Sequence, residues 1–383
     1  MAKYPLSHPI KNNIMITLYY ILRSFFNCWH WHTSYRSSLP YLGLSYYFSY
    51  KGRDKKPFLR VLYELEQLSL YWRCFNDVYF EMSMFLNTWT DLDKMKSFVP
   101  QDAYFRMEKH LDRTYNILLD DKVIFHDLMN YYHIPVPHVY FIFKDGHFLT
   151  PNQAQELDDA TIDALLQEVA EPRLFVKRNV GGEATGVDIF SRRADGTLLH
   201  HLTPVSASYI RQQFQGSHLF FERQIHQPNY IRELNPDTVN TIRVLAARHH
   251  DEVVIYSATL RVGRQGNYVD NAARGGLTIA INTTDGSFAN HGLRMYDPQQ
   301  YSTHPDTGHA FAGRRILEWD AVVALVQKTL RALPLRHSLG FDIAITDDGP
   351  VIVEINTGAG MFLSQAGRPR GLGKEFVRQQ QQL

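Results

Sequence analysis

Cysteine is nearly absent from this chain. Two residues, Cys28 and Cys74, stand in 383, with no CxxC pair and no metal-ligand spacing. That excludes a disulfide scaffold and favours a reducing, cytoplasmic compartment. Long apolar runs are missing as well. The most apolar early stretch, Ile14 to Phe26, is interrupted by Arg23 and is followed by no small-residue cleavage site. No secretory signal is therefore expected, and the stretch is too short to span a bilayer. There is no internal repeat, and low complexity is confined to the Gln tail at 379–382. No Ser/His or Cys/His constellation suggests a protein nucleophile. What is present is a hydrophobic fraction of 44% and a charged fraction of 21%, the balance of a soluble globular protein with room for two or three domains.

The net charge of +1 is unevenly spread. Residues 1–60 hold nine basic residues and one acid, Asp54, for a local charge of +8. The same segment is dense in aromatics, as in Phe25-Phe26-Asn27-Cys28-Trp29-His30-Trp31. The first reading is a helical region whose aromatics pack on the main body. Contact with a membrane surface or an anionic lipid carrier ranks second, and nucleic acid ranks below both.

Residues 1–115 read as mostly helical, with Phe58 to Phe85 a long stretch of helical spacing. From about 136 the pattern changes to short strands and turns. Val139 to Phe143, Asp145-Gly146 and His147 to Leu149 predict a hairpin. Ala160 to Ala170 predicts a helix, and Leu174 to Lys177, Gly186 to Phe190 and Leu219 to Ile225 predict strands. Further strands are expected at Thr241 to Ala247, Val253 to Val262 and Leu277 to Ile281, then a helix from Trp319 to Leu333. The fold class is α+β with an antiparallel sheet.

The sharpest signal is residues 339–357, LGFDIAITDDGPVIVEINT. Period two puts Phe341, Ile343 and Ile345 on one face, and Asp342 on the other. Asp347-Asp348-Gly349-Pro350 is a turn. The return strand is expected to place Val351, Val353 and Ile355 on the apolar face, and Glu354 and Asn356 on the second. A hairpin centred on Asp348 sets Asp342 opposite Glu354, about 4.5–5.5 Å apart at Cβ. Two carboxylates that close repel unless a cation sits between them, and with an amide oxygen they suit Mg²⁺. The alternative is a solvated edge hairpin.

Other signals are weaker one by one. Lys177 ends a strand before a loop with Gly181, Gly182 and Gly186, a pattern that can cradle phosphate or simply be a flexible hairpin loop. Lys122 in isolation is a surface lysine. Arg243 and Arg261 lie on strand-like runs, and Arg274 precedes Gly275-Gly276. Arginines on strands need anionic partners, either a ligand or structural acids such as Asp270, Asp251 and Glu252.

Taken in order, these pieces resemble the ATP-grasp superfamily over roughly 120–360. The whole chain is most similar to the sugar-transfer-associated ATP-grasp proteins. The segment TIRV…LRVGRQGNYVDNAARGG…GFDIAITDDGPVIVEINTGAG is similar to amino-acid-adding, glutamate-ligase-like members. The resemblance implies an ATP-grasp fold of two α+β subdomains around ATP, preceded by the helical region. The implied spans are 1–115 for the helical region, 116–225 for a small subdomain with a Gly-rich lid, and 226–383 for a large subdomain with a Mg²⁺ site. It implies that Lys122, Lys177 and the glycines hold the ATP phosphates. Glu222, Arg223 and Ile225 would form the adenine hinge, and Asn229 stands where a ribose-binding acid is usual. Asp342, Glu354 and Asn356 are the implied metal ligands, and Arg243, Arg261 and Arg274 the catalytic cations. Gly340 stands where D-alanine ligases carry an arginine, which leaves anion stabilisation to Arg243 and Arg274. The implied activity is amide formation from a small carboxylate and an amine through an acyl phosphate, with a sugar acid or amino acid of cell-surface polysaccharide assembly as substrate. A phosphotransferase to a hydroxyl and a non-catalytic nucleotide-binding partner are the alternatives. The expected location, from the cysteine usage, is cytoplasmic, with contact at the inner face of the membrane through residues 1–60 as the second reading of that segment.

Overall fold

The computed structural model describes residues 43–108, 114–179, 187–266, 270, 275–335 and 338–381. Residues 1–42, with most of the basic aromatic segment, lie outside them. So do Gly181, Gly182, Gly186 and Arg274. The chain divides into two compact units. One comprises Met1–His110, Met295–Gln299 and Gly360–Gln382, and the other comprises Leu111–Arg294 and Gln300–Ala359.

The first unit is helical in its described residues, with α1 (Leu44–Ser49), α2 (Phe58–Trp72), α3 (Val78–Glu81), α4 (Leu92–Lys96) and α5 (Gln101–Glu108). α2 buries Val61, Leu65, Leu68 and Trp72, spaced four, three and four residues apart on one stripe. Glu64 lies on that buried stripe and is satisfied by Lys56, Arg60 and the Tyr79 hydroxyl, each at 2.8 Å. The long helix expected from Phe58 to Phe85 stops at Trp72. Arg73 adopts φ 57°, and Asn76 and Asp77 then accept the N–H groups of Tyr79 and Val78 to start α3. Short Asn and Asp side chains compete with the helix backbone and favour this restart. The C-terminal helices Met361–Gln365 and Gly373–Gln381 belong to this unit, although the sequence groups them with the hairpin domain. Gln365 anchors them by exchanging hydrogen bonds with the Val99 backbone at 2.8 and 3.0 Å. Cys74 is free and buried, its thiol pushed up to about 12 by burial.

The second unit opens with α6 (Ile117–Asp120) and α7 (Lys122–Tyr131) and then builds two sheets. The first contains β1 (Val139–Lys144), β2 (His147–Leu149), β3 (Glu156–Leu157), β4 (Arg173–Arg178), β5 (Val187–Arg192), β6 (Leu198–His200), β7 (Thr203–Pro204) and β8 (His218–Arg223). Their order is β3-β2-β1-β8-β4-β5-β6-β7. The expected hairpin forms, with Lys144 opposite His147 and with Asp145 and Gly146 at φ 51° and 92°, the left-handed pair that a two-residue hairpin turn requires. α8 (Asp159–Glu168) and α9 (Ala207–Gln213) cover this sheet. Ile162, Leu166 and Ile210 pack with Phe141, Val176 and Phe221.

After α10 (Asn229–Arg232) come β9 (Thr241–His249), β10 (Glu252–Val262), β11 (Leu277–Ile281), β12 (Phe288–Arg294), β13 (Asp297–Tyr301), α11 (Trp319–Ala332), β14 (Leu339–Thr346) and β15 (Gly349–Asn356). The second sheet runs β13-β12-β11-β10-β9-β14-β15. α11 closes one face, and its Val322, Val326 and Leu330 are buried with Ile242, Val244, Leu260 and Phe341. The α+β class and its antiparallel sheets are as expected, with most strand limits moved by one or two residues. Among the described residues no helix is long and apolar enough to cross a membrane.

Candidate active site

The hairpin of β14 and β15 turns through Asp347 and Asp348, with Thr346 opposite Gly349. Gly349 takes φ 112°, a region that favours glycine. From the turn the register runs Ile345↔Pro350, Ala344↔Val351 and Ile343↔Ile352, then jumps to Asp342↔Glu354. Val353 is the extra residue of a β-bulge. The bulge corrects part of the sequence reading. Val351 and Val353 are only half-buried, whereas Ile352 enters the core beside Ile355. On the turn side the return strand alternates in the opposite phase, and the inserted residue restores the phase at Glu354. Without it Asp342 would face Val353. The bulge is what makes the two carboxylates opposite.

Asp342 is almost fully buried and is held by cations of the protein itself. β9 lies on its other side with Arg243 directly opposite. Arg243 donates Nε to Asp342 Oδ1 at 2.5 Å and Nη2 to Oδ2 at 2.9 Å, a bidentate pair. Arg261, on β10, brings Nη2 to 3.2 Å from the same Oδ2. Arg261 also donates to Thr241 Oγ1 at 2.9 Å and lies 3.4 Å from Asp270, which accepts from the Thr241 hydroxyl at 2.5 Å. Asn356 Nδ2 donates to Asp342 Oδ2 at 3.3 Å. Burial alone would raise the Asp342 carboxyl. Arg243 first and Arg261 second outweigh it and hold the group below the usual carboxylate range. Asp270, also buried, is pushed up by burial despite Arg261.

Glu354 differs from Asp342. Among the described residues its carboxylate has neither hydrogen-bond nor ion-pair partner. No group of three or more His, Cys, Asp and Glu side chains gathers among the described residues. The donor set is thus two opposed carboxylates and the Asn356 amide. Each carboxylate oxygen has about two lone-pair sites. Oδ2 is filled by Arg243, Arg261 and Asn356, whereas Oδ1 accepts from Arg243 alone among the described residues, so it is Oδ1 that retains capacity. Those residues fit Mg²⁺, which takes one or two carboxylates and fills its other positions from phosphate and water.

A second cluster lies on the first sheet. Lys177 Nζ is 2.5 Å from Glu222 Oε2, and Glu222 is 5% exposed at its side chain. His126 of α7 approaches the other Glu222 oxygen at 3.8 Å and stacks on Phe220. Burial pushes the His126 imidazole down, against the opposing pull of Glu222. Lys122 opens α7 directly after its cap Asp121. Thr357, next to Asn356, donates to Asp120 at 3.1 Å, so the root of α7 is tied to the end of the acidic hairpin.

The segment after β8 is built as an interrupted ladder. The Arg223 N–H donates to His138 O at 2.9 Å, while its side chain turns to Glu171. The Ile225 N–H has no partner among the described residues. Gln227, buried, then locks the segment to the second sheet through Asn240 O at 3.0 Å and Ile345 O at 3.4 Å. Asn229 starts α10 at the surface, and its Oδ1 accepts from Arg232 at 2.7 Å. A groove of about 370 Å³ is lined by His226, Gln227, Pro228, Asn229, Arg232 and Asp347. None of Lys122, Lys177, Glu222, Asp342 or Glu354 lines it.

The structure therefore joins Lys177 with Glu222, and Arg243 and Arg261 with Asp342, Glu354 and Asn356. Asn229 stands apart from both sets: among the described residues its side chain accepts from Arg232. Sequence reasoning gave no role to His126 or Gln227. Nothing local marks either one, because their partners lie far along the chain.

No curated protein matches the chain. Among solved structures it is similar to N5-carboxyaminoimidazole ribonucleotide synthetase in an ADP complex, at 11% identity and TM-score 0.39, over 69% of this chain and 52% of that one. It is similar to D-alanyl-alanine synthetase A from Vibrio cholerae O1 biovar eltor at 13% identity and TM-score 0.37, over 69% and 60%. For biotin carboxylase from Campylobacter jejuni in complex with β-γ-ATP the values are 12% and 0.43, over 73% and 51%. The chain thus spans about half the length of the first of these. The model of the sugar-transfer associated ATP-grasp family matches residues 105–380, well over half of the sequence, and the chain belongs to that family of the ATP-grasp superfamily.

Proposed function

We propose that this protein is an ATP-dependent carboxylate–amine ligase that works through an acyl phosphate. The observation that carries the reading is the opposed pair Asp342 and Glu354, set in register by a bulge and backed by Arg243 and Arg261. In this reading Lys122 and Lys177 neutralise the ATP phosphates, and the Ile225 N–H and the Arg223 carbonyl meet the adenine edge. Asp342, Glu354 and Asn356 would hold Mg²⁺, which supplies charge neutralisation at the phosphates when bound. A substrate carboxylate oxygen attacks the γ-phosphorus, and the bond from that phosphorus to the oxygen of ADP breaks. An amine then attacks the acyl carbon, loses a proton and expels inorganic phosphate, leaving an amide. The side chains position and balance charge, with no protein nucleophile. Arg243 acts chiefly on Asp342, since its guanidinium is committed to that carboxylate.

A sugar acid or amino acid of cell-surface polysaccharide assembly is the proposed carboxylate, on the strength of the family's association with sugar transfer. The test is a screen of uronic acids and amino acids against amines for release of ADP and phosphate. Release that requires both partners supports the ligase. Transfer of phosphate to a hydroxyl without an amine would favour a phosphotransferase instead.

We also propose that the first unit rests on an anionic lipid surface. Phe48, Leu59, Leu62 and Tyr63 are exposed, Leu59 at 80%, beside the basic residues Lys51, Arg53 and Arg60. The stretch also exposes Asp54, and Arg60 is paired with Glu64, but basic residues outnumber acids there, and exposed aromatics and leucines beside a net positive charge suit the interface of an anionic bilayer.

A further inference from the structure

We propose that Asn179 is a positioning residue that clamps the N-terminus of α7, and with it Lys122, onto the strand that carries Lys177. The residue follows β4 directly. Its backbone N–H donates to His218 O at 2.9 Å, so it is fixed to the first sheet. Its side chain, on a residue 5% exposed, then reaches across to α7. Oδ1 accepts from the Lys122 N–H at 3.0 Å and, more weakly, from the Val123 N–H at 3.4 Å. Nδ2 donates to Asp121 Oδ2 at 2.8 Å.

The need for this contact follows from helix ends. An N-cap side chain reaches the second and third N–H groups but leaves the first without a partner. Asp121 does this here, its Oδ1 accepting from Val123 at 2.9 Å and Ile124 at 3.1 Å. The first N–H is that of Lys122, and Asn179, 57 residues downstream, takes it. One planar amide must offer an acceptor to the helix and a donor to the carboxylate. Aspartate at 179 would set two carboxylates together, and alanine would strand both groups. The consequence is that the two lysines read as phosphate ligands are held by one buried side chain between their elements.

This inference rests on the proposed nucleotide reading, and two readouts separate them. The first is amide exchange of the peptide covering 121–125 in the full chain without nucleotide. Asn179→Ala should speed exchange at Lys122 and Val123. The second is binding of ADP and of adenosine. Asn179→Ala should weaken ADP about tenfold and adenosine less than about twofold, because Lys122 would meet phosphate. Asn179→Asp should be as weak, and adding Asp121→Asn should restore ADP binding, since the swapped pair again matches donor to acceptor. Unchanged exchange in Asn179→Ala, or failure of the swap to recover ADP binding, would overturn the clamp. A wild-type protein that binds no ADP would overturn the nucleotide reading, and the exchange result would still decide the clamp. Should Asn179→Ala fail to fold, the swapped pair against Asn179→Asp alone carries the same test.

Discussion

Asp342→Asn and Glu354→Gln are the same chemical change on two residues that face each other, yet they should cost very different amounts of stability. Asp342 is 4% exposed at its side chain and is the shared counter-ion of Arg243 and Arg261. Asparagine can accept one hydrogen bond there, but its NH₂ would meet a guanidinium donor. Arg261 would keep Asp270, while Arg243 would lose the one carboxylate it is paired with among the described residues. Breaking a buried pair by neutralising one member costs about 3–5 kcal/mol. That is a large part of the roughly 5–15 kcal/mol that holds a typical protein folded. For a chain of 383 residues it corresponds to a fall of roughly 4–6 °C in Tm. Glu354 makes no hydrogen bond or ion pair among the described residues and acts on Arg261 only from a longer distance, so Glu354→Gln should cost less than about 1 kcal/mol. Urea unfolding and thermal scans of the two variants beside wild type measure both. Equal loss in the two, or a loss below about 1 kcal/mol for Asp342→Asn, would refute the claim that Asp342 is the charge centre of the network.

Other consequences are separable. Glu354→Gln should retain the fold but lose ATP-dependent turnover, because it removes charge from the proposed cation site, and near-normal turnover at saturating Mg²⁺ would count against that site. Lys177→Ala should weaken ATP binding more than adenosine binding, whereas equal weakening would mean its pair with Glu222 is structural only. Asp306 is held down to about 2, first by Arg264 and with help from the Gln265 N–H. Its folded value lies below the unfolded one, so its contribution is complete above about pH 4 and is lost as pH falls from about 4 to 2. Asp306→Asn should therefore flatten the fall in Tm over that window, and an unaltered acid limb would show the pair contributes nothing. Co-sedimentation with anionic vesicles at low salt should exceed that with neutral vesicles and fall with added salt. Absence of binding at low salt would remove the lipid proposal.

Much of the second sheet was legible because its strands carry strong local signals. Thr241 onward, Glu252 onward and Leu277–Ile281 are rich in branched apolar residues, and both faces are buried along most of the first, the second half of the second and all of the third. β12 and β13, FANHGLR and DPQQY, hold few such residues, and they are strands only because neighbours offer them a ladder. The pairing of Asp342 with Glu354 was legible from the turn, but the bulge that achieves it was not, since Val353 has nothing in its type to mark an insertion. The arginines show the limit more plainly. Arg261 does meet Asp270, an acid nearby in sequence. Arg243 instead meets Asp342, 99 residues away, a partner set by which strands lie side by side. Asn179 and Lys122 are likewise joined over 57 residues, by a helix end packed against the end of a strand.

The most direct test of the central claim uses a substrate carboxylate labelled with heavy oxygen, taken from the first acid and amine that release ADP together. The account predicts that one labelled oxygen passes from the carboxylate to inorganic phosphate in each turnover, with formation of an amide. Phosphate free of label, or label retained in full by the acid while phosphate appears on a hydroxyl, would contradict it.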